Sequence, residues 1–117
     1  MRKKSNKVIG YIRVSTGEQA KEGYSIPAQK DKIVAYAVLK NLDIEDIVID
    51  AGVTSDIPFT EREGGKKVVE CIKSGLASSI ISVKSDRIFR DAGECLYEIK
   101  RWKKNGINVL FTDGIEY

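Results

Sequence analysis

The sequence predicts a single α/β domain, with a mostly parallel central sheet of about four to five strands flanked by helices. Short runs rich in β-branched residues, at 8–14, 47–50, 79–84 and 107–112, alternate with segments of helical periodicity. Strands that alternate with helices are joined by right-handed crossovers, which make the strands parallel and cover both faces of the sheet. A chain of 117 residues is long enough for one modest core.

The first predicted strand, residues 8–14, ends in an arginine and a serine. Arg13 needs an anion or a carboxylate as a partner, because a buried guanidinium without one is unfavourable. Ser15 lies two residues further on, so a strand would point both side chains to the same side of the sheet. We expect residues 15–24, a polar connection with two glycines, to be a mobile loop.

The next segment predicts a helix and a second strand. Ser25 is a suitable N-cap, and Pro27 falls in the first helical turn, where its missing N–H does no harm. The helix should continue to about Lys40. Its apolar residues at helical spacing are Ile26, Ile33, Val34, Ala37 and Val38. A strand at 47–50 follows, and residues 51–65 predict a long loop that is either functional or disordered.

The second half of the chain repeats this alternation. We expect a short helix at 66–73, a strand at 79–84 and an exit loop at 85–90. Asp91 can cap the next helix, with Glu94 in the reciprocal position of a capping box. The apolar stripe predicted for that helix consists of Leu96, Ile99 and Trp102. Gly106 occupies the position of a C′ glycine before the last strand.

Composition narrows the chemistry that this domain can use. The net charge of +3 permits a nucleic-acid partner without arguing for one. The absence of histidine removes the usual general base and the commonest metal ligand. Cys71 and Cys95 lack metal-site spacing and are expected to be reduced thiols. With no secretory signal and no membrane-length apolar run in the sequence, we expect a cytoplasmic protein.

Polar residues collect at the predicted carboxyl ends of three strands. In open parallel sheets, ligands bind beyond these ends, so the side chains there should converge. The candidate set consists of Arg13, Ser15, Arg62, Lys84, Asp86, Arg87 and Arg90. Several guanidiniums around one hydroxyl suit a phosphoryl-transfer transition state, which gains negative charge. The alternative for each residue taken alone is a helix cap or a solvated ion pair.

Four separated motifs resemble those of the serine recombinases. YIRVST at 11–16 is followed by Glu18-Gln19 and by SIPAQ at 25–29, as at the start of their catalytic domain. The resemblance continues through DAGVTS at 50–55, Arg62, and KSDRIFR at 84–90, and so covers nearly the whole chain. The pattern is more similar to the large serine integrase and transposase branch than to the small resolvases and invertases. Departures from the family pattern are Glu63, Ile88 and Phe89.

The resemblance implies a three-layer fold like that of resolvase catalytic domains and a role in site-specific DNA recombination. Ser15 would attack the scissile phosphodiester, leaving a 5′-phosphoserine linkage and a free 3′ hydroxyl. Arg13, Arg87 and Arg90 would bind the phosphate and stabilise the transition state. The supporting positions would be Asp86, Gln29 and Arg62, with Lys84 at a frequently basic position. The family uses neither a metal nor a nucleotide cofactor.

The resemblance also implies partners. Double-stranded DNA is the expected substrate, and the full-length protein would form a homodimer or homotetramer. Residues 1–117 would be a single catalytic domain, with the C-terminal dimerisation helix and the DNA-binding domains absent from this chain; no membrane partner is expected. A receiver-like regulatory domain and a metal-dependent nuclease are the rival interpretations. Both would favour clustered carboxylates, whereas arginine dominates this sheet edge.

Overall fold

A computed structural model describes residues 6–18 and 23–117, in which four parallel strands alternate with three α-helices. The strands are β1 (Lys7–Val14), β2 (Asp43–Ala51), β3 (Ser79–Ser82) and β4 (Asn108–Phe111), and the helices are α1 (Ile26–Leu39), α2 (Glu63–Lys73) and α3 (Ala92–Lys104). Short 3-10 helices at Phe59–Glu61 and Ser85–Arg87 precede α2 and α3. The strand order is β2-β1-β3-β4, and every neighbouring pair is parallel. The predicted parallel α/β fold is confirmed.

The sheet lies between two helical layers because alternate side chains of β1 point to opposite faces. Val8 and Ile12 pack in one cluster with Ile33 of α1. Ile9 and Tyr11 belong to the larger cluster, which contains the buried side chains of α2 and α3. Three layers were predicted, and three are found.

Two boundaries differ from the predictions. The second strand begins at Asp43 rather than residue 47, because β2 is an edge strand whose polar side chains face solvent. The second helix begins at Glu63 rather than residue 66, so the predicted loop at 51–65 is shorter and contains a 3-10 helix. Gly65 lies in this helix, and glycine is needed there because a Cβ would lie 1.8 Å from the carbonyl oxygen of Phe59.

The predicted helix stripes are correct only in part. Val34, Val38 and Leu96 were expected in the core but are 40%, 77% and 58% exposed. The buried positions of α1 are Gln29, Ile33 and Ala37, and those of α3 are Cys95, Ile99 and Trp102. Each helix is covered on one side only, so the apolar residues that continue around its surface remain in solvent.

Helix ends follow the predicted capping chemistry. The Ser25 hydroxyl accepts a hydrogen bond from Ala28 N, and the Asp91 carboxylate accepts one from Glu94 N. The return bond of the expected capping box is displaced by one residue, since Glu94 accepts from Arg90 N at 3.4 Å. The predicted mobile loop at 15–24 and the motif residue Gln19 lie partly or wholly outside the described residues, as does most of the basic N-terminus.

Candidate active site

The candidate site lies where the direction of strand order changes. In the order β2-β1-β3-β4, the second strand lies on one side of β1, and the third and fourth lie on the other side. The change of direction therefore falls between β1 and β3. Ligands of open α/β sheets bind at such a point, beyond the carboxyl ends of the strands. Ser15 follows β1 there, and the 3-10 helix with Asp86 and Arg87 follows β3. The predicted convergence of these two segments is therefore present in the structure.

The Ser15 hydroxyl is held by a carboxylate three residues away. Its Oγ donates to Oε1 of Glu18 at 2.6 Å, and its backbone N–H donates to the same oxygen at 2.8 Å. Arg87 grips both carboxylate oxygens, with Nη1 and Nη2 each at 3.0 Å. These hydrogen bonds from Arg87 hold the pKa of Glu18 well below its usual range. One ionised carboxylate thus joins the serine to a buried arginine.

All three nitrogens of the Arg13 guanidinium donate hydrogen bonds to main-chain carbonyl groups. Its Nε donates to the carbonyl of Arg87 at 3.1 Å, Nη1 to that of Val53 at 2.8 Å and Nη2 to that of Asp86 at 2.7 Å. Burial, and then the positive charges of Arg87 and Arg62, lower the pKa of Arg13. Arg13 therefore ties the end of β1 to the segments that follow β2 and β3.

Arg62 is buried in a second set of such contacts. It is 2% exposed, and its Nη1 donates to the carbonyl of Arg87 at 2.7 Å and to the Tyr11 hydroxyl at 3.2 Å. The remaining acceptors are the carbonyl oxygens of Ser55, Ile57 and Ile88. Direct phosphate contact by Arg13 or Arg62 stays a prediction; in this structure both arginines fix the backbone around Arg87.

Tyr11 and Asp50 extend this network to the start of α2. The Tyr11 hydroxyl donates to Oδ2 of Asp50 at 2.7 Å, and Gly64 N donates to Oδ1 at 2.7 Å. Burial raises the pKa of Tyr11, so its hydroxyl stays protonated and available as a donor. A Cβ on Gly64 would lie 2.7 Å from the carboxylate, so glycine makes this approach possible.

Gln29 supports the end of β1 from the other layer. Its side chain is fully buried, and Nε2 donates to the carbonyl of Arg13 at 3.0 Å and to that of Tyr24 at 2.9 Å. Its Oε1 makes no hydrogen bond within the described residues. A glutamine at this helix start would ordinarily face solvent, so its burial reflects the two carbonyl groups that it binds.

Three of the predicted residues lie at the surface. Asp86 is exposed, and its Oδ1 accepts from Arg87 Nε at 3.1 Å. Arg90 is exposed and lies beside Asp91 and Glu94, at 3.4 and 4.0 Å. Lys84 lines a groove of about 530 Å³ with Lys32, Tyr24, Tyr36 and Asp86. Within the described part of the chain, the side chains of Lys84 and Arg90 make no hydrogen bond to Ser15, Glu18 or Arg87; the Lys84 carbonyl accepts one from Arg87 N at 3.1 Å.

The sequence did not predict a role for Glu18, Tyr11 or Asp50. Glu18 and Arg87 are 69 residues apart, and a glutamate in a polar loop ordinarily faces solvent. Tyr11 itself was a signal that could have been used, since a phenol inside a covered strand needs a partner for its hydroxyl.

The described residues hold no group of three or more His, Cys, Asp or Glu side chains that could bind a metal ion together.

Among residues 6–18 and 23–117, no helix is both long enough and apolar enough to span a membrane.

Comparisons with known proteins agree with this architecture. The profile of the family described as "Resolvase, N terminal domain" matches residues 8–117. The crystal structure of the N-terminal catalytic domain of TP901-1 integrase is similar, with a TM-score of 0.77 and 31% identity, over 92% of this chain and 78% of that one.

Two curated proteins match more limited parts of their own length. The chain is 57% identical over 42 residues to "Uncharacterized immunity region protein 3" of Bacillus phage phi105, covering 36% of this chain and 51% of that protein. It is 30% identical over 106 residues to "Putative DNA recombinase" of Bacillus subtilis (strain 168), covering 89% of this chain and 20% of that protein. The chain thus spans about half the length of the first relative and a fifth of the second.

Proposed function

Because this chain belongs to the resolvase N-terminal domain family, the family of serine recombinase catalytic domains, we propose that it cleaves and rejoins DNA as the catalytic domain of a site-specific recombinase. One observation carries the proposal. Ser15 Oγ and the Arg87 guanidinium bind the same anionic group, the carboxylate of Glu18. A nucleophile and a phosphate-binding cation are therefore within reach of a single anion.

In the proposed reaction, the scissile phosphoryl group of the DNA is transferred from a 3′ oxygen to the hydroxyl of Ser15. A bond forms between Oγ and the scissile phosphorus, and the bond from phosphorus to the 3′ oxygen breaks. Oγ loses its proton, and the departing 3′ oxygen gains one. The DNA 5′ end is left on Ser15 as a phosphoserine, and a 3′ hydroxyl rejoins it by the reverse attack. Because the covalent intermediate retains a phosphoester bond, rejoining needs no nucleotide cofactor in this proposal. Stabilisation of the phosphate charge is assigned to the arginines, and no step is assigned to a metal.

The arginines divide the work according to their surroundings. Arg87 and the exposed Arg90 are assigned to the non-bridging phosphate oxygens, where negative charge develops in the transition state. Arg13 and Arg62 are positioning residues, because their N–H groups bind the carbonyls that shape the Arg87 segment. Asp86 orients Arg87 through Nε and is the exposed carboxylate available for proton exchange with the 3′ oxygen.

DNA next to the cleaved bond is assigned to the groove that contains Lys84. Lys32 and Lys84 supply positive charge there, and Tyr24 and Tyr36 supply aromatic surface. Such contacts bind phosphates with little sequence choice. Within this proposal the chain is one catalytic domain of a cytoplasmic, homodimeric or homotetrameric protein, and dimerisation and sequence recognition depend on segments outside residues 1–117.

An activated phosphodiester tests the nucleophile without knowledge of the DNA site. The chain is incubated with bis(4-nitrophenyl) phosphate in EDTA, and the modified residue is located by intact-mass and peptide analysis. Attack by Ser15 expels 4-nitrophenolate and leaves a 4-nitrophenyl phosphate group on Oγ. We expect the adduct with Thr16→Ala, which removes the neighbouring exposed hydroxyl, and no adduct with Ser15→Ala. An adduct that persists in Ser15→Ala would refute the assignment.

A further inference from the structure

Glu18 has no role in the proposed reaction, yet its carboxylate accepts four hydrogen bonds from the two residues assigned to that reaction, Ser15 and Arg87. Its Oε1 accepts from Ser15 Oγ, Ser15 N and Arg87 Nη1, and its Oε2 accepts from Arg87 Nη2. The distances lie between 2.6 and 3.0 Å, and the two bonds to Arg87 form a bidentate pair. The Arg87 side chain is 3% exposed and that of Glu18 is 18% exposed.

We propose that the Glu18 carboxylate occupies the position of the scissile phosphate and must be displaced by it before Ser15 can react. This inference rests on the proposed function and deepens it, because it assigns the phosphate position and a closed state of the same site. A carboxylate and a phosphodiester present the same paired oxygen acceptors to a guanidinium. The group that touches both Ser15 and Arg87 therefore marks where the substrate anion binds.

The donors of Arg87 leave little room for both anions at once. Four of its N–H groups are engaged, by Asp86, the carbonyl of Arg13 and the two oxygens of Glu18. The Tyr24 ring also covers the guanidinium, with 5.0 Å between Cζ and the ring centroid. A phosphate that approaches Arg87 from the side of Ser15 meets the carboxylate first. Since both groups are anions, each weakens the binding of the other.

A general-base role for Glu18 fits this arrangement less well. The hydrogen bond from Ser15 Oγ has the distance that proton transfer requires. However, the hydrogen bonds from Arg87 hold the pKa of Glu18 well below its usual range, and a carboxylate of that kind accepts a serine proton poorly. As an occupant of the anion position, the same carboxylate holds the Ser15 hydroxyl in a hydrogen bond and neutralises the charge of Arg87 until a DNA phosphate displaces it.

The test compares phosphodiester binding by two variants of the 117-residue chain. Dimethyl phosphate, a singly charged phosphodiester, is titrated while NMR follows the side-chain Nε–H signal of Arg87. Glu18→Gln keeps the shape of the side chain and removes its charge. Glu98→Gln is the matched control, because Glu98 binds Arg101 at the same 3.0 Å distance on the surface of α3. We expect Glu18→Gln to bind dimethyl phosphate about tenfold more tightly or better than the unsubstituted chain, and Glu98→Gln to leave affinity unchanged.

Unchanged or weaker binding by Glu18→Gln would overturn the inference, since Glu18 would then not compete with phosphate. If Glu18→Gln folds poorly, the unsubstituted chain supplies the second measurement. Saturating dimethyl phosphate should shift the side-chain carboxyl ¹³C signal of Glu18 and leave that of Glu98 in place. A Glu18 signal that stays fixed while Arg87 responds would contradict displacement.

The outcome is independent of the covalent step. Tighter binding by Glu18→Gln without any Ser15 adduct would support the anion position and count against the recombinase proposal. A Ser15 adduct combined with unchanged phosphodiester affinity in Glu18→Gln would support the recombinase and overturn the role of Glu18.

Discussion

Arg13 and Arg87 bind each other's main chain. Nε of Arg13 donates to the carbonyl of Arg87 at 3.1 Å, and Nη1 of Arg87 donates to the carbonyl of Arg13 at 2.8 Å. Two like charges are held close because each satisfies a buried carbonyl of the other segment. The relationship fixes the end of β1 against the segment after β3, and so sets the position of Arg87 relative to Ser15.

Replacement of Arg13 by methionine should therefore destabilise the domain. Methionine keeps much of the side-chain length but leaves the carbonyls of Val53, Asp86 and Arg87 without this donor. We expect a loss of about 2–4 kcal/mol in the free energy of unfolding, measured with urea. Arg101→Met on the exposed surface of α3 is the control and should change stability by less than about 0.5 kcal/mol. Equal effects of the two substitutions would contradict the positioning role.

Tyr11→Phe should destabilise the domain through a lost hydroxyl alone. The ring and its edge contact with Phe59 would remain, whereas among the described residues buried Asp50 would keep only its hydrogen bond from Gly64 N, and Arg62 would lose an acceptor. The expected loss is about 1–3 kcal/mol in urea unfolding. Tyr97→Phe, at a tyrosine 68% exposed, should be close to neutral. A neutral Tyr11→Phe would mean that water replaces the hydroxyl without penalty.

Two glycines near helix starts should respond oppositely to alanine. In Gly65→Ala, the new Cβ would lie 1.8 Å from the Phe59 carbonyl oxygen, so α2 must shift; we expect a loss above about 3 kcal/mol. In Gly93→Ala, the nearest atom to the new Cβ is Asp91 Oδ1 at 3.4 Å, and alanine favours the helix by about 0.5–1 kcal/mol. Similar thermal unfolding midpoints for the two variants would argue against the close approach of α2 to Phe59.

The Glu18–Arg87 pair should make stability depend on pH in the acid range. Arg87 holds the pKa of Glu18 below its unfolded value of about 4.3. Its contribution is therefore complete above that unfolded value and is lost as the pH falls toward the folded value. The difference in unfolding free energy between the unsubstituted chain and Glu18→Gln should shrink between about pH 6 and about pH 3. A difference that stays constant over this range would contradict the ion pair.

The fold could be predicted from the sequence because the local residue patterns and the rules for connecting strands indicate the same topology. β-branched runs separated by helical segments leave few topologies, and the parallel order follows from right-handed crossovers. The start of β2 was missed because Asp43, Glu45 and Asp46, three of its first four residues, are polar and exposed at the sheet edge. The start of α2 was missed because Gly64 and Gly65 resemble a loop, whereas their missing side chains let the helix approach Asp50 and Phe59.

The sequence predicted where in the fold the site lies, but not which hydrogen bonds its side chains make. Strand-end logic brought Ser15 and Arg87 to one edge of the sheet, but it could not show which donors were already used. Arg13 and Arg62 turn to main-chain carbonyls, whose positions depend on the folded path of loops rather than on residue type. Glu18 was missed for the same reason, since its partner Arg87 lies in the 3-10 helix that follows β3, far away in the sequence.

The central claim is that Ser15 attacks the scissile phosphate and becomes attached to the 5′ end of the cleaved strand. The most direct test is to determine which DNA end is bound covalently to the protein. The chain is incubated in EDTA with a pool of random duplexes, each carrying a single bridging sulfur at the 3′ position of one phosphodiester. Attack by Ser15 would expel a 3′ thiol that rejoins poorly and so trap the adduct. We predict protein attached to the 5′ end of the cleaved strand, through Ser15, in Thr16→Ala but not in Ser15→Ala. Attachment to the 3′ end, or an adduct that survives Ser15→Ala, would contradict the account.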